Sequence, residues 1–361
     1  MFNLKVLSID IGSQNTKIIV GTQHRKNVIL EKAISISTPV GCYNDGNILD
    51  VTKLKDEILD VLQAKNIRCK NIIITTKSTT VITRDIDIPV AKKEDMDSII
   101  KFQMERYLPI KFDDYIMQYK ILEEFEDESI KQAKFAIVVY PKIMVDGYYN
   151  LIKELKGNAV ALDISSNSIN KLFIDNIQVN DENFSSHDTV AVIDLGHDFT
   201  NVNIISEGNV LFTRIINYGG SHIDVDIAKQ LSISEEEAED QKFKNCNLER
   251  ESLSDMQSSM VNDIAKAQVR NWIREIEKLL NYYKNKKQGN KIDKIYIYGG
   301  SSNLKGIEMF MKDVVNLPVT QIHSLSNVNC SKINAANVDS ARIDEELSKY
   351  LNAIGAIIRL R

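Results

Sequence analysis

The chain has 361 residues, 43% of them hydrophobic and 26% charged, with a formal net charge of -5. That length is more than one ordinary core serves and predicts two domains. The mild acidity and the scattered lysines and arginines argue against nucleic acid as a partner, and the four isolated cysteines (Cys42, Cys69, Cys246, Cys330) argue against a zinc site or a disulfide framework and fit a reducing cytosol.

The N-terminus starts on a strand-like run, residues 4–11, interrupted by Asp10 and lacking the apolar stretch of a secretory signal. No uninterrupted apolar stretch approaches the ~20 residues needed to span a bilayer, so work at a membrane would go through another protein. Residues 6–20, VLSIDIGSQNTKIIV, are echoed at 190–204 by VAVIDLGHDFTNVNI. Asp10 matches Asp194, Gly12 matches Gly196 and Thr16 matches Thr200, all at one offset of about half the chain. A further strand follows each copy, at 27–30 and 209–212. The repeated unit is strand, Asp-x-Gly turn, strand, polar turn, strand, which predicts two domains of common design.

Between the copies the pattern is α/β. Residues 52–65 have helical periodicity and 71–76 read as a strand. Residues 84–157 are expected to form an inserted subdomain: a strand over 83–88, and a helix over about 94–107 with apolar Met96, Ile99, Ile100 and Met104, ended by Pro109. Strands at 115–122 and 134–140 then flank an acidic turn at 123–128, and Pro141 opens another helix. A strand at 159–164 feeds a helix over about 165–173, and the polar run 178–187 reads as a connector. Residues 234–259 read as a polar surface subdomain and 261–287 as one long amphipathic helix. A strand from Lys294 runs into Gly299-Gly300, with a helix expected from about Leu304. The expected domains are therefore 1–83 with 158–180 as the first core, 84–157 as the insertion, 185–342 as the second domain including a polar subdomain at about 234–290, and 343–361 as a helix returning to the first.

A magnesium-bound triphosphate needs backbone N–H groups that approach closely and carboxylates that hold the metal. Gly12 and Gly196 allow the approach, Ser13, Asn15 and Thr16 offer donors, and Lys17 offers positive charge. Asp10 and Asp194 are expected to face each other and bind magnesium through water. One Asp-x-Gly hairpin is commonly just a turn; two copies at a half-chain offset reverse that preference. Gly299, Gly300 and Ser301 make a strand–glycine–helix junction, equally readable as a phosphate or nucleobase contact or as an ordinary turn. Glu239 and Lys242, three apart, can leave one helical face to bracket a ribose, although that segment alone reads more simply as a solvated helix start.

In this order the elements resemble the actin-like ATPase superfamily over nearly the whole chain, an α/β, ribonuclease H-like two-domain fold. IKFQMERYLPIKFDDYIMQYKIL (100–122), FAIVVYPKIMVDGYYNLIKEL (135–155) and VALDIS (160–165) resemble the PilM family, cytoplasmic actin-like components of type IV pilus assembly, with an FtsA/PilM-type extra subdomain in the first domain. The resemblance implies ATP (or ADP) with magnesium between the domains, with His197 and Asp198 completing the second turn. It implies a groove beside the extra subdomain for the cytoplasmic N-terminal tail of a PilN-like inner-membrane protein, with Tyr107, Leu108 and Phe112 as groove candidates. Other pilus platform proteins or a second copy are further partners, and the location is the inner face of the cytoplasmic membrane, reached through a partner. The candidates for handling water are Asn167, at the start of the first connecting helix, and His197, which reads more simply as a phosphate donor. Nucleotide binding with slow or negligible turnover is expected. One alternative is an FtsA-like cell-division tether, which would carry a basic amphipathic helix after the closing motif, where this sequence stops at Arg361. The other is a small-molecule kinase, for which Asp198 is available but no substrate domain is evident.

Overall fold

The computed structural model describes residues 4–127, 130–250, 256–286, 288–333 and 346–359. Three antiparallel strands, β1 (Lys5–Ile11), β2 (Asn15–His24) and β3 (Asn27–Ser37), start the first sheet. A short hairpin, β4 (Tyr43–Asn44) and β5 (Asn47–Ile48), precedes α1 (Val51–Ala64). Asp50 caps that helix, its carboxylate accepting from the N–H groups of Thr52 and Lys53 at 3.1 Å each. β6 (Asn71–Thr76) then returns parallel to β1.

The insertion folds as β7 (Ile82–Pro89), α2 (Lys93–Tyr107), β8 (Tyr115–Asp127) and β9 (Ile130–Pro141), a three-stranded antiparallel sheet in the order β7-β9-β8. The acidic segment expected to turn at 123–128 instead continues β8 as far as Asp127, because Glu123 and Glu126 lie opposite Lys134 and Lys131 and complementary pairs support the ladder; Glu128 lies outside the described residues. α3 (Lys142–Glu154), expected within the insertion, sends Tyr148, Leu151 and Ile152 into the core beneath the first sheet. β10 (Asn158–Ile164) and α4 (Ser165–Asn170) follow. The polar run expected as a connector forms a hairpin, β11 (Ile177–Val179) and β12 (Glu182–Phe184). Asn180 and Asp181 turn it with positive φ, and it buries Ile177, Val179 and Phe184.

The second sheet repeats the first: β13 (Val190–Leu195), β14 (Thr200–Ser206) and β15 (Asn209–Ile216) form an antiparallel meander. α5 (Gly220–Leu231), α6 (Glu235–Asn245) and α7 (Met256–Lys286) lead to β16 (Lys294–Tyr298), parallel to β13. α8 (Ile307–Val315), β17 (Val319–Gln321), β18 (Val328–Asn329) and α9 (Leu351–Ile357) complete the chain. The sheets run β10-β6-β1-β2-β3-β18 and β15-β14-β13-β16-β17. The polar segment expected as its own subdomain joins the second sheet's core, with Ala238, Leu248, Val261, Trp272 and Ile276 packed with Ile193 and Ile204. The expected boundary at 342/343 lies outside the described residues.

A third core joins the sheets. β1 and β13 are buried on both faces, which explains their continuous apolar runs. Leu7, Ile9 and Ile11 face α1, while Val6 turns toward α9, as Ser8 does through its hydroxyl bond to the Ala353 carbonyl at 2.6 Å. Val190 and Val192 face the same joining core from the other sheet. α4 and α9 pack together inside it so closely that a Cβ on Gly355 would sit 2.0 Å from the Ser168 carbonyl oxygen. Gly355→Ala is therefore expected to cost about 1–3 kcal/mol of stability, as overpacking does, read as a lower urea midpoint; an unchanged midpoint would show that the two helices separate freely.

Candidate nucleotide cleft and partner groove

The side-chain period of two decides where the repeated acids point. Asp10 follows Val6 and Ser8 on one face of β1, and Asp194 follows Val190 and Val192 on one face of β13, so both carboxylates project from the inner faces of the sheets. The registers match: Asp10 lies opposite Lys17, and Asp194 opposite Asn201. So do the turns, with the Gly12 N–H donating to the Asn15 carbonyl at 3.1 Å and the Gly196 N–H to the Phe199 carbonyl at 3.2 Å. They meet in a cavity of about 490 Å³ lined by Asp10, Gly12, Ser13, Asn15, Lys17, Asp194, Gly196, His197, Asp198, Glu239, Gly299, Gly300 and Ser301. Small-molecule and cofactor clefts span about 300–1,000 Å³.

Its depth is electrically loaded. Lys77, from the end of β6, reaches across to Asp194 with Nζ 2.8 Å from Oδ2. Asn352 of α9 donates to the same oxygen at 3.2 Å and accepts from the Tyr298 hydroxyl at 2.9 Å. Burial pushes the Asp10 carboxyl above the usual carboxylate range; Lys17 and Lys77 pull it down, and Asp194 adds to the push. Burial lowers the Lys17 ammonium against the pull of Asp10. It works against Lys77 as well, but Asp194 and then Asp10 outweigh it and leave that ammonium above its ordinary value. Two buried carboxylates with flanking ammonium groups and glycine turns suit a divalent cation carrying a polyphosphate. At the mouth, the Gln14 amide donates to Glu239 at 2.8 Å, a second bridge between the domains. Gly299 (φ +94°) ends β16 where any Cβ would lie 2.3 Å from Asp194 Oδ1.

A second cavity, of about 480 Å³, opens on the face of the inserted sheet away from α2. Strand alternation sends Met117, Phe135 and Val139 toward α2 and leaves Ile116, Gln118, Lys120, Leu122, Ala136 and Val138 facing this groove. Its other walls are Leu162, Asp163 and Ile164 of β10 and residues 210–214 of β15.

The family model described as "Type IV pilus assembly protein PilM" matches residues 8–361. The chain belongs to the PilM family. Among solved structures, a "PilM-PilN type IV pilus biogenesis complex" aligns with TM-score 0.77 and 17% identity over 98% of this chain and 97% of that chain. MreB5 of Spiroplasma citri bound to AMPPNP aligns with TM-score 0.53 and 14% identity over 88% and 91%. The ethanolamine utilization protein EutJ from Carboxydothermus hydrogenoformans aligns with TM-score 0.55 and 11% identity over 97% and 89%. These likenesses establish the actin-like fold, and PilM membership favours pilus assembly over the cell-division and kinase alternatives. Among the described residues, no helix is long and apolar enough to cross a membrane.

Several PilM site expectations move. Thr16 is fully buried, sharing a 2.8 Å hydroxyl contact with Thr38, which in turn donates to the Gly12 carbonyl at 2.7 Å; it braces the first turn from behind. Lys242 turns inward from α6 while Glu239 lines the cleft. Its Nζ lies 2.6 Å from Asp224 Oδ1 and donates to the Gly220 carbonyl at 3.3 Å. The Gly220 N–H donates to the Gly196 carbonyl at 3.0 Å, so Lys242 supports the second turn through α5. Asn167 donates to Asp163 at 2.8 Å and lines the groove, not the cleft. His197 lines the cleft with Nε2 3.6 Å from Asp198. The Gly299 N–H, which the ligand-contact reading of that junction would leave open and the ordinary-turn reading would not, donates to the Ser348 carbonyl at 3.1 Å. Tyr107 is exposed, Leu108 is buried with α2, and Phe112 packs on that same core, all behind the sheet whose opposite face lines the groove.

Sequence reasoning passed over Lys77, Asn352 and Gln14, which carry no motif; the one signal was that Lys77 directly follows the strand pairing with β1. Lys242→Met should cost about 3–5 kcal/mol in chemical denaturation, because it strands the buried Asp224 charge. Wild-type stability with weakened ATP binding would instead return Lys242 to the ribose.

Proposed function

We propose that this chain is an ATP-binding actin-like scaffold of the type IV pilus assembly platform that holds the cytoplasmic N-terminal tail of a PilN-like inner-membrane protein. One observation carries most weight: a single PilM-family chain joins a cleft of paired, inward-facing acids to a separate, largely apolar groove beside its inserted subdomain. The similar solved complex pairs PilM with PilN, which supports a PilN-like partner. That tail would hold the chain at the inner face of the cytoplasmic membrane.

In the cleft, Asp10 and Asp194 hold magnesium, which neutralises phosphate charge. Lys17, Lys77 and the N–H groups of the two glycine turns hold the phosphates, and Glu239 with the Gly299-Gly300-Ser301 segment borders the nucleoside. Turnover is slow, since Asn167 is committed to Asp163 away from the cleft and His197 serves as a donor. In the groove, apolar Ile116, Leu122, Ala136, Val138 and Leu162 receive the tail's apolar side chains, with Lys120, Arg84 and Arg214 also in its lining.

A ligand that binds only the folded state raises stability, by about 2.7 kcal/mol at a hundredfold excess over Kd. Magnesium-ATP should therefore raise Tm in wild type and leave it unmoved in Asp10→Ala, with turnover far below the ~1 s⁻¹ at the low end of typical enzymes. An immobilised peptide of the PilN-like tail should retain wild type and Tyr107→Ala but not Val138→Arg. Retention of Val138→Arg together with loss of Tyr107→Ala would move the tail to the α2 side, and no retention of any form would remove the scaffold function.

A further inference from the structure

A third cavity, of about 270 Å³, lies among the loop that joins β6 to β7, the start of α4 and the end of β15. Its walls carry Lys77, Arg84 and Arg214, and most of the remaining lining is hydroxyl or amide, including Ser165, Ser166 and Asn201. Among the described residues no carboxylate lines it. In a chain of net charge -5 that is the reverse of the nucleotide cleft, which Asp10, Asp45, Asp194, Asp198, Glu239 and Glu346 all line. The cleft needs a metal before it accepts a phosphate chain, whereas a space walled by charge of one sign draws its counter-ion directly. Lys77 lines both spaces, and Asp194 holds its Nζ at 2.8 Å, so the cationic groups left to this cavity are the two arginines.

The donors in its wall outnumber the acceptors. Ser165 is 3% exposed and its Oγ accepts from Asn201 at 3.1 Å, so its own O–H remains to be placed. Among the described residues that O–H finds no acceptor. Ser166 is 7% exposed, and its hydroxyl makes no hydrogen bond there either. Arg84 has neither an ion pair nor a hydrogen bond among the described residues. Arg214 gives one N–H to the Thr213 carbonyl at 2.7 Å and lies over the Phe212 ring, with no carboxylate paired to it. Guanidinium groups only donate, and buried hydroxyls are seldom left without partners, so this set calls for a ligand that only accepts.

We propose that this cavity is a second anion site, separate from the nucleotide cleft, which binds a tetrahedral oxyanion of the inorganic phosphate class without a metal. Arg84 and Arg214 hold its charge, and the Ser165 and Ser166 hydroxyls donate to it from the α4 side. The class follows from the donors. They approach from different elements, β7, α4 and β15, and a tetrahedral oxyanion presents acceptors on every side, whereas a carboxylate presents its oxygens in one plane. The site goes beyond the scaffold function and does not depend on the pilus partner.

The test is isothermal titration of the full chain with inorganic phosphate, first in EDTA and then with magnesium-AMPPNP saturating the cleft. Both arginines also line the groove, so no peptide is present. Wild type should bind phosphate under both conditions, and an equal concentration of acetate should not displace it. Arg84 and Arg214 are exposed, so the double variant Arg84→Ala/Arg214→Ala should keep the wild-type Tm and AMPPNP affinity. Its phosphate affinity should fall about tenfold or more, as loss of hydrogen bonds from charged groups does. Asp10→Ala should show the opposite pattern, with AMPPNP lost and phosphate retained. A wild type that binds no phosphate, phosphate expelled by AMPPNP, or unchanged affinity in the double variant overturns the site. Acetate that competes equally overturns the oxyanion class. None of these results touches the scaffold function. A crystal soaked in selenate gives the location by anomalous scattering: a peak between the two guanidinium groups is expected, and a peak in the cleft alone overturns the placement.

Discussion

Two carboxylates buried on facing surfaces repel each other and lose hydration, and the rest of this molecule is arranged around that cost. Strand alternation makes it unavoidable: once Leu7, Ile9 and Ile11 fill the core under α1, Asp10 must point to the inner face, and Asp194 follows in the second sheet for the same reason. Lys17, Lys77 and Asn352, each brought from a different element, offset that cost. A divalent cation would relieve the repulsion directly.

That arrangement depends on a closely packed joint. α4 and α9 meet at Gly355, and the apolar cluster around them takes side chains from both sheets and from the β11–β12 hairpin. Because this core is close-packed, it holds the two sheets in one relation. The cleft and the groove lie on that joint and share it.

Much of this was legible in the sequence, for physical reasons. The Asp-x-Gly repeat stands out because the turn and the carboxylate are both required, and a half-chain offset converts a common hairpin into a paired site. Lys77 and Asn352 were not legible, since each is an isolated polar residue whose partner, Asp194, is distant in sequence. Lys242 was misplaced because spacing by three fixes a helical face but not whether that face meets solvent or core; the 2.6 Å pair with Asp224 sends it inward. Tyr107, Leu108 and Phe112 lie on the α2 side of the inserted sheet, a side the sequence could not assign because a helix pattern reveals that a sheet is covered, not which face is left open. The hairpin at 177–184 was hidden by its polar residues, although Ile177, Val179 and Phe184 are the ones that pack.

The most direct test of the paired-acid cleft is a crystal structure grown with manganese and AMPPNP, in which anomalous scattering locates the metal. The account requires a manganese peak between the carboxylates of Asp10 and Asp194, with the phosphate chain against the Gly12 and Gly196 turns. Nucleotide bound elsewhere, or bound in the cleft with the metal away from both acids, would contradict it.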